Sequence, residues 1–497
     1  MSAARAGTVA FDSGAGRWVL TIAVLGSGIA FLDGTVVNVA LPAIGEDLNA
    51  STSELQWMLN GYLLTLASFI LLGGSLGDRI GRRAIFTIGT AWFTLASALC
   101  ALAPSAEVLI AARLLQGIGG ALLTPGSLAM IDASFQQTDR ARAIGAWSGL
   151  TGVGAALGPL LGGYLVDAVS WRAVFLINLP LGLFVCLTAP RHVPETRDPM
   201  AHGRLDVPGA LLTALGLAGT TYALIEAPNG MSGTIVAVAV VGVLALVAFV
   251  LHERRAESPM LPLTLFANRQ FSAANVVTVV VYAALGGVFF LLVAFLQISM
   301  GWSPLAAGAA SLPVTALMLA FSARSGALAQ AVGPRIPLTV GPLVIAAGML
   351  LMTRIDPGDS YVSSVLPAVL VFGIGLTLVV APITATVLAA ADSRHAGIAS
   401  GINNAVSRVA GLLAVAVLPL IGGLTGDAFY VPSQMTDGFH IAMVATAALA
   451  ALGGIIAWLT IDPHVLEPER ERPPHYQCPV SGTPLRADRE EREPARA

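Results

Sequence analysis

Leu32-Asp33-Gly34-Thr35-Val36-Val37-Asn38-Val39-Ala40-Leu41-Pro42 closes an apolar stretch that begins at Trp18, and Asp33 is the one acidic side chain deep within it. About 20 apolar residues suffice for a helix to cross the hydrocarbon of a bilayer. A carboxylate at that depth costs roughly 2.5–3.5 kcal/mol even on the lenient insertion scale, so by default it marks a functional group. The stretch therefore reads as a membrane-spanning helix that carries a protonatable side chain.

The rest of the chain is built from similar segments. It is 56% hydrophobic and 11% charged, with mean hydropathy +0.79. Soluble domains carry about a quarter charged residues, which excludes a large soluble enzyme. The net charge of −3 says little, because the charges gather in loops and tails. All 26 basic residues are Arg, which suggests a GC-rich bacterial genome. Cys100 and Cys186 lie in apolar segments and Cys478 in a polar tail, so no disulfide framework is expected. The leader 1–17 has little basic charge and no small-residue cleavage site follows it, so the first helix is expected to be retained.

Fourteen stretches long enough to cross a membrane lie near 18–41, 56–77, 84–103, 107–131, 142–166, 173–190, 207–226, 233–251, 272–299, 305–328, 336–355, 363–390, 398–424 and 438–461. The reading is a cytoplasmic tail 1–17, a six-helix bundle 18–190, a linker 191–206, an inserted helix pair 207–251, a linker 252–271, a second six-helix bundle 272–461 and a disordered tail 462–497. With both ends cytoplasmic, 21 of the 26 Arg fall in inside loops and tails, whereas outside loops hold only Arg172 and Arg354. Arginine bias of this kind sets orientation. Arg113, Arg324 and Arg408 remain within apolar segments. His475 and Cys478 lack further ligands at metal spacing, and a solvated tail is expected there.

Depth ties two charges together. Asp33 lies about 12 Å from the outer end of the first stretch and Arg113 about 9 Å into the fourth, from a rise of about 1.5 Å per residue. A neighbouring guanidinium favours the charged carboxylate while burial opposes it, and the balance suits a group that titrates as water access alternates. A permanent structural ion pair is the alternative. Gly74-Ser75-Leu76-Gly77-Asp78-Arg79-Ile80-Gly81-Arg82-Arg83 follows the second stretch, and a fainter Gly326-Ala327-Leu328 with Gly333-Pro334-Arg335 follows the tenth, with Gln330 in place of the acid. Repeated halves are characteristic of alternating-access transporters. Asp78 beside Arg79, Arg82 and Arg83 suits a charge latch, or an acid seated at the amino end of a neighbouring helix. Gly154, Gly158 and Gly162 recur every fourth residue as one bare stripe for close helix approach. Pro159 invites a kink within it.

These motifs carry a resemblance. The run from Gly74 to Arg83, the segment Arg113-Leu114-Leu115-Gln116-Gly117-Ile118-Gly119-Gly120-Ala121, and the pattern formed by Gly154, Gly158, Pro159, Gly162 and Gly163 resemble signatures of the major facilitator superfamily. Gln56-Trp57 with Tyr62, Trp171-Arg172 with Phe175, Asn178 and Pro180, and Ala399-Ser400-Gly401 with Asn404 and Arg408 extend the match. The chain is similar to the fourteen-helix drug:proton antiporters of that superfamily, the EmrB/QacA group. The resemblance implies an all-α polytopic membrane protein with the major facilitator fold, two six-helix bundles plus two inserted helices. It further implies export of amphipathic compounds from a bacterium across its plasma membrane, with protons as the coupling ion, proton transfer at Asp33 and Arg113, and no other cofactor.

Candidates for the substrate cavity are Trp57, Asn60, Tyr62, Gln116, Asn275, Phe295, Gln297, Asn403, Asn404 and Arg408. Arg408 has three open roles: binding an anionic group, balancing Asp33, or holding the halves together. With Asp33 the sole deep acid, neutral or monovalent cationic substrates are expected. The expected partners are a small amphipathic molecule and the bilayer, with no nucleic acid, and the protein is expected to be a monomer. A lipid, siderophore or cell-envelope metabolite is the alternative cargo. An enzyme is disfavoured, because no metal-ligand cluster, nucleophile–base pair or nucleotide loop occurs and Gly152-Val153-Gly154 sits inside a helix.

Overall fold

A computed structural model describes residues 8–198, 205–391 and 396–466, with the short pairs Tyr476–Gln477 and Leu485–Arg486. Fourteen helices are long and apolar enough to cross a membrane. In chain order they are α1 Gly14–Leu48, α2 Thr52–Ile80, α3 Arg82–Ala101, α4 Ala106–Ser134, α5 Gln137–Ala168, α6 Ala173–His192, α7 Val207–Glu226, α8 Gly233–Glu253, α9 Arg269–Ile298, α10 Pro304–Val332, α11 Arg335–Met352, α12 Tyr361–Ala389, α13 Gly397–Ile421 and α14 Pro432–Thr460.

The helix ends follow capping chemistry. Ser13 accepts the Gly16 N–H at 2.9 Å and starts α1 before Trp18. The helix then runs through Pro42, which a membrane-spanning helix tolerates, and stops at Asn49 with φ of 49°. Ser51 and Glu54 form a reciprocal box that opens α2, with Ser51 N–H to Glu54 Oε2 at 2.7 Å. Residues 8–13, within the expected cytoplasmic tail, lie across the α4–α5 turn. Val9 N–H donates to Ser134 O at 2.8 Å, Phe11 N–H to Asp139 at 2.8 Å, and Arg142 pairs with Asp12 at 3.0 Å. Most of the tail beyond 462 lies outside the described residues; Tyr476–Gln477 pairs antiparallel with Leu485–Arg486.

Packing repeats between the two halves. In the first, α2 and α3 pack on α4, α1 on α4, α5 and α6, and α3 on α6; in the second, α10 and α11 pack on α12, α9 on α12, α13 and α14, and α11 on α14. Each pair in one half has its counterpart eight helices later. Across the halves the contacts are also paired: α2 with α13, and α5 with α10. The inserted α7 and α8 pack on each other, and α7 leans on both α2 and α13.

One end of the bundle is sealed. Gln56 Nε2 donates to Val415 O at 2.8 Å, Thr52 Oγ1 to Gly426 O at 2.8 Å, Gln297 Nε2 to Val39 O at 3.0 Å, and Tyr430 OH to Ala50 O at 2.5 Å. All four lie at the arginine-poor end. Further along α5, a methyl added at Gly145, Gly149, Gly152 or Gly154 would meet nothing within 4 Å. Parts of α5 toward the arginine-rich end therefore border open space, the end at which a chamber between the halves would open.

Candidate functional site

Asp33 and Arg113 meet. Arg113 Nη1 lies 2.5 Å from Asp33 Oδ2, and both side chains are almost wholly enclosed, at 1% and 0% exposure. The pair is the centre of a network drawn from α1, α2, α3, α4 and α6. Arg113 Nη1 also donates to Gln116 Oε1 at 2.5 Å, and its Nε donates to Met58 O at 3.0 Å. Gln116 Nε2 returns to Asp33 Oδ1 at 2.8 Å and to Ser97 Oγ at 2.8 Å. Asn178 Nδ2 adds a bond to Asp33 Oδ1 at 3.3 Å. The Tyr62 ring lies under the guanidinium at 4.5 Å, with Phe175 at 5.8 Å. A buried ion pair needs its remaining donors and acceptors satisfied; both Asp33 oxygens and the Arg113 Nε and Nη1 have partners, while Asn178 Oδ1 has none.

Sequence reasoning placed the two charges at one depth and missed half of the shell. Ser97 carried no signal, being one hydroxyl on an apolar helix. Asn178 appeared only through the resemblance. Their contribution is geometric, because α3 and α6 must pack on α1 before either side chain reaches Asp33.

The Gly74–Arg83 loop is ordered differently from the expectation. Asp78 pairs with Arg82 one turn away, at 2.9 Å, and does not occupy a helix amino end. Glu195 does so, accepting the first amides of α3 from Arg83 at 3.1 Å and Ala84 at 3.2 Å. Arg82 N–H donates to Thr196 O, Asp198 N–H to Asp78 O, and the Arg83 guanidinium to Val193 O at 2.9 Å, so the segment after α6 is laced onto this loop. Gly81 has φ of 138°, and a Cβ there would collide with the Glu195 carboxylate. Gly74 allows α2 to lie against Pro125 of α4. The second half answers with Arg335 Nε on Ile461 O at 2.7 Å and Gly333 against Pro463, just after α14.

The glycine stripe on α5 divides in two. Gly158 and Gly162 lie against Thr35 and Val36 of α1, and Gly163 against Pro304 and Leu305 of α10. The Pro159 carbonyl in turn lies where Gly308 of α10 would carry a side chain. Gly154 borders open space, contrary to the expectation of one packed stripe.

Most of the proposed cavity residues are committed to packing. Phe295 is fully buried, stacked on Phe439 at 4.2 Å and 7°. Gln297 ties α9 to α1, and Asn403 donates to Asn275 at 3.2 Å and Thr278 at 2.8 Å between α13 and α9. Gln116 and Tyr62 belong to the Asp33 network. Trp57 tilts against Tyr222 of α7, with ring centroids 6.3 Å apart, so it anchors the inserted pair. Asn404 is half-buried, with its carbonyl accepting the Ser407 hydroxyl. Of these cavity candidates, Asn60 and Arg408 keep buried side-chain atoms without a partner. Arg408 does not balance Asp33, whose charge is taken by Arg113.

The comparisons agree with this architecture. The family model described as Major Facilitator Superfamily matches residues 23–415. The chain is 35% identical to the puromycin resistance protein pur8 of Streptomyces alboniger, over 90% of this chain and 91% of that one. It is 36% identical to the methylenomycin A resistance protein of Bacillus subtilis, covering 91% and 96%, and 36% identical to the tetracenomycin C resistance and export protein of Streptomyces glaucescens, covering 83% and 77%. Among solved structures, a bacterial homologue of the human lysosomal transporter Spinster, inward-facing and occupied, superposes with a TM-score of 0.64 at 17% identity, covering 89% of this chain and 96% of that one. A D-xylose–proton symporter gives 0.63 at 15% identity, covering 90% and 98%, and these two likenesses bear on the fold alone. From the matched family model and the extent of these relatives, the chain belongs to the major facilitator superfamily of membrane transporters.

Proposed function

We propose that this protein is a proton-coupled exporter of antibiotics or other toxic amphipathic small molecules, set in the bacterial plasma membrane with both termini in the cytoplasm. Export is supported by relatives named for resistance to puromycin and methylenomycin A and for export of tetracenomycin C. The observation that carries the coupling is the enclosed Asp33–Arg113 pair. Protonating Asp33 withdraws the one charge that balances Arg113 and weakens the network that holds α1, α4 and α6 together. Because Arg113 keeps Met58 and Gln116, losing that charge costs about 1.5–3 kcal/mol, enough to shift a two-state equilibrium by roughly tenfold to a hundredfold. Proton entry from one side and cargo loading from the other then favour opposite openings of the bundle. The crossings of α2 on α13 and α5 on α10 are the natural pivots.

The test is resistance and efflux in a bacterial host that lacks its own exporters. The wild-type chain raises drug tolerance, and uncouplers abolish that gain. Asp33→Asn reaches the membrane but confers none. Full resistance in the Asn variant rejects the role given to Asp33.

A further inference from the structure

Arg113 is neutralised by Asp33, and Arg324 is exposed in the last third of α10 with its guanidinium 5.4 Å from the Phe321 ring, which leaves Arg408 as the deep guanidinium to be explained. Arg408 is the twelfth residue of α13, about 16 Å along it. Its Nε is buried without a hydrogen-bond partner, and among the described residues no carboxylate pairs with it. The guanidinium carbon lies 5.9 Å from the ring of Phe31 on α1, across the junction of the halves. Gly28 and Gly34 flank Phe31 on the same helix face. A methyl at either, or at Gly411 beside Arg408, would meet nothing within 4 Å. Open space thus adjoins α1 on the Phe31 side and α13 at Gly411, and the Phe31 ring faces the positive group.

A second polar group near the junction of the halves is also unsatisfied. Asn60 is fully buried, and neither its amide oxygen nor its nitrogen has a partner. It follows Gln56 by one turn, on the face of α2 that meets α13. An intramembrane arginine is retained when it faces a cavity or binds something. Its planar fork matches the two oxygens of a carboxylate. Counting membrane acids pointed toward neutral or cationic cargo; the unpaired cation points the other way.

We propose that the chamber receives amphipathic aromatic compounds bearing an oxyanion, a carboxylate foremost, with Arg408 binding the anion and Phe31 against the ring system. This rests on the exporter reading and names its cargo class. The test uses the purified full chain in an uncharged detergent at pH 7.5, titrated with anthracene-9-carboxylate and 9-(aminomethyl)anthracene, which share a ring and differ in charge. The carboxylate is expected to bind at least about tenfold more tightly, in line with a charge-assisted hydrogen bond. R408Q reduces that preference to within about threefold, and R408K, which keeps the charge, retains part of it. Equal binding of the two probes to the wild-type chain overturns the proposal, as does an undiminished preference in R408Q. Competition by phosphatidylglycerol as strong as that of the free carboxylate assigns the site to a lipid headgroup and also overturns it. Efflux is measured separately in reconstituted vesicles. A wild-type chain without charge preference but with efflux intact rejects this inference alone, whereas an intact preference without efflux of any compound rejects the exporter reading.

Discussion

Gly154 and Gly158 stand four residues apart in one motif, yet they should respond to the same substitution in opposite ways. Replacing glycine by alanine inside a helix gains about 0.5–1 kcal/mol from reduced backbone freedom. At Gly154 the added methyl meets nothing within 4 Å, so that gain stands. At Gly158 the methyl overlaps Thr35 Oγ1, with Thr35 Cβ at 3.2 Å and the Leu32 carbonyl at 3.5 Å. Thr35 cannot swing clear without cost, because its hydroxyl donates to Leu32 O at 3.0 Å. Overpacking of this kind costs about 1–3 kcal/mol. The two variants should therefore differ in stability by about 1–3 kcal/mol, with Gly154→Ala at or above wild type and Gly158→Ala at or below it. For a chain of this length that is a gap of a few degrees in the midpoint of thermal unfolding, read in detergent by the loss of monodisperse protein. Equal losses in both variants would refute the packing argument and restore the uniform stripe.

The central pair should be asymmetric under substitution: Arg113→Gln strands a buried carboxylate and lowers stability by about 3–5 kcal/mol, whereas Asp33→Asn leaves Arg113 bonded to Gln116 and Met58 and costs about 1.5–3 kcal/mol. Unfolding midpoints of the two proteins check this order. Glu195→Gln removes the charge at the start of α3 and is expected to cost about 0.3–1 kcal/mol, with slower transport because the segment after α6 loosens; unchanged transport would separate that segment from the cycle. Asp206 caps α7, and although burial raises its pKa, the Gly209 amide, the His252 ring, Glu253 and the Met260 amide together hold it below the ordinary carboxylate value. A depressed carboxylate contributes stability above its unfolded value near 4 that is lost as pH falls through the folded value. Asp206→Ala should thus cost about 1 kcal/mol evenly from pH 7 to 5; no loss of stability anywhere in that range would refute the cap.

The fold was legible because it rests on solvent. Fourteen apolar stretches and a skewed arginine distribution fix the number of crossings without any tertiary information, and all fourteen helices occur. Asp33 and Arg113 were legible for the same reason, since deep charges stand out and helix rise gives their depth. The cavity was not. Phe295 and Gln297 lie on α9 and Asn403 on α13, but which face each presents depends on helix rotation, set by packing that no local pattern encodes. Glu195 escaped notice because its role depends on a chain reversal after α6 that brings it back to α3. Arg408 was visible as a residue and undecided as a role, until Arg113 was found to hold Asp33.

The central claim is that Asp33 gains and loses a proton in every transport cycle, and it can be measured directly. Protein is reconstituted into vesicles containing a pH-sensitive dye, a gradient of exported compound is imposed, and proton movement is followed with the voltage clamped near zero. The account predicts proton flux that starts with the cargo gradient and runs against it in wild-type vesicles. Asp33→Asn should show none, while still exchanging labelled for unlabelled cargo. Equal proton flux in the Asn variant, or cargo moved uphill with no pH or voltage difference present, contradicts it.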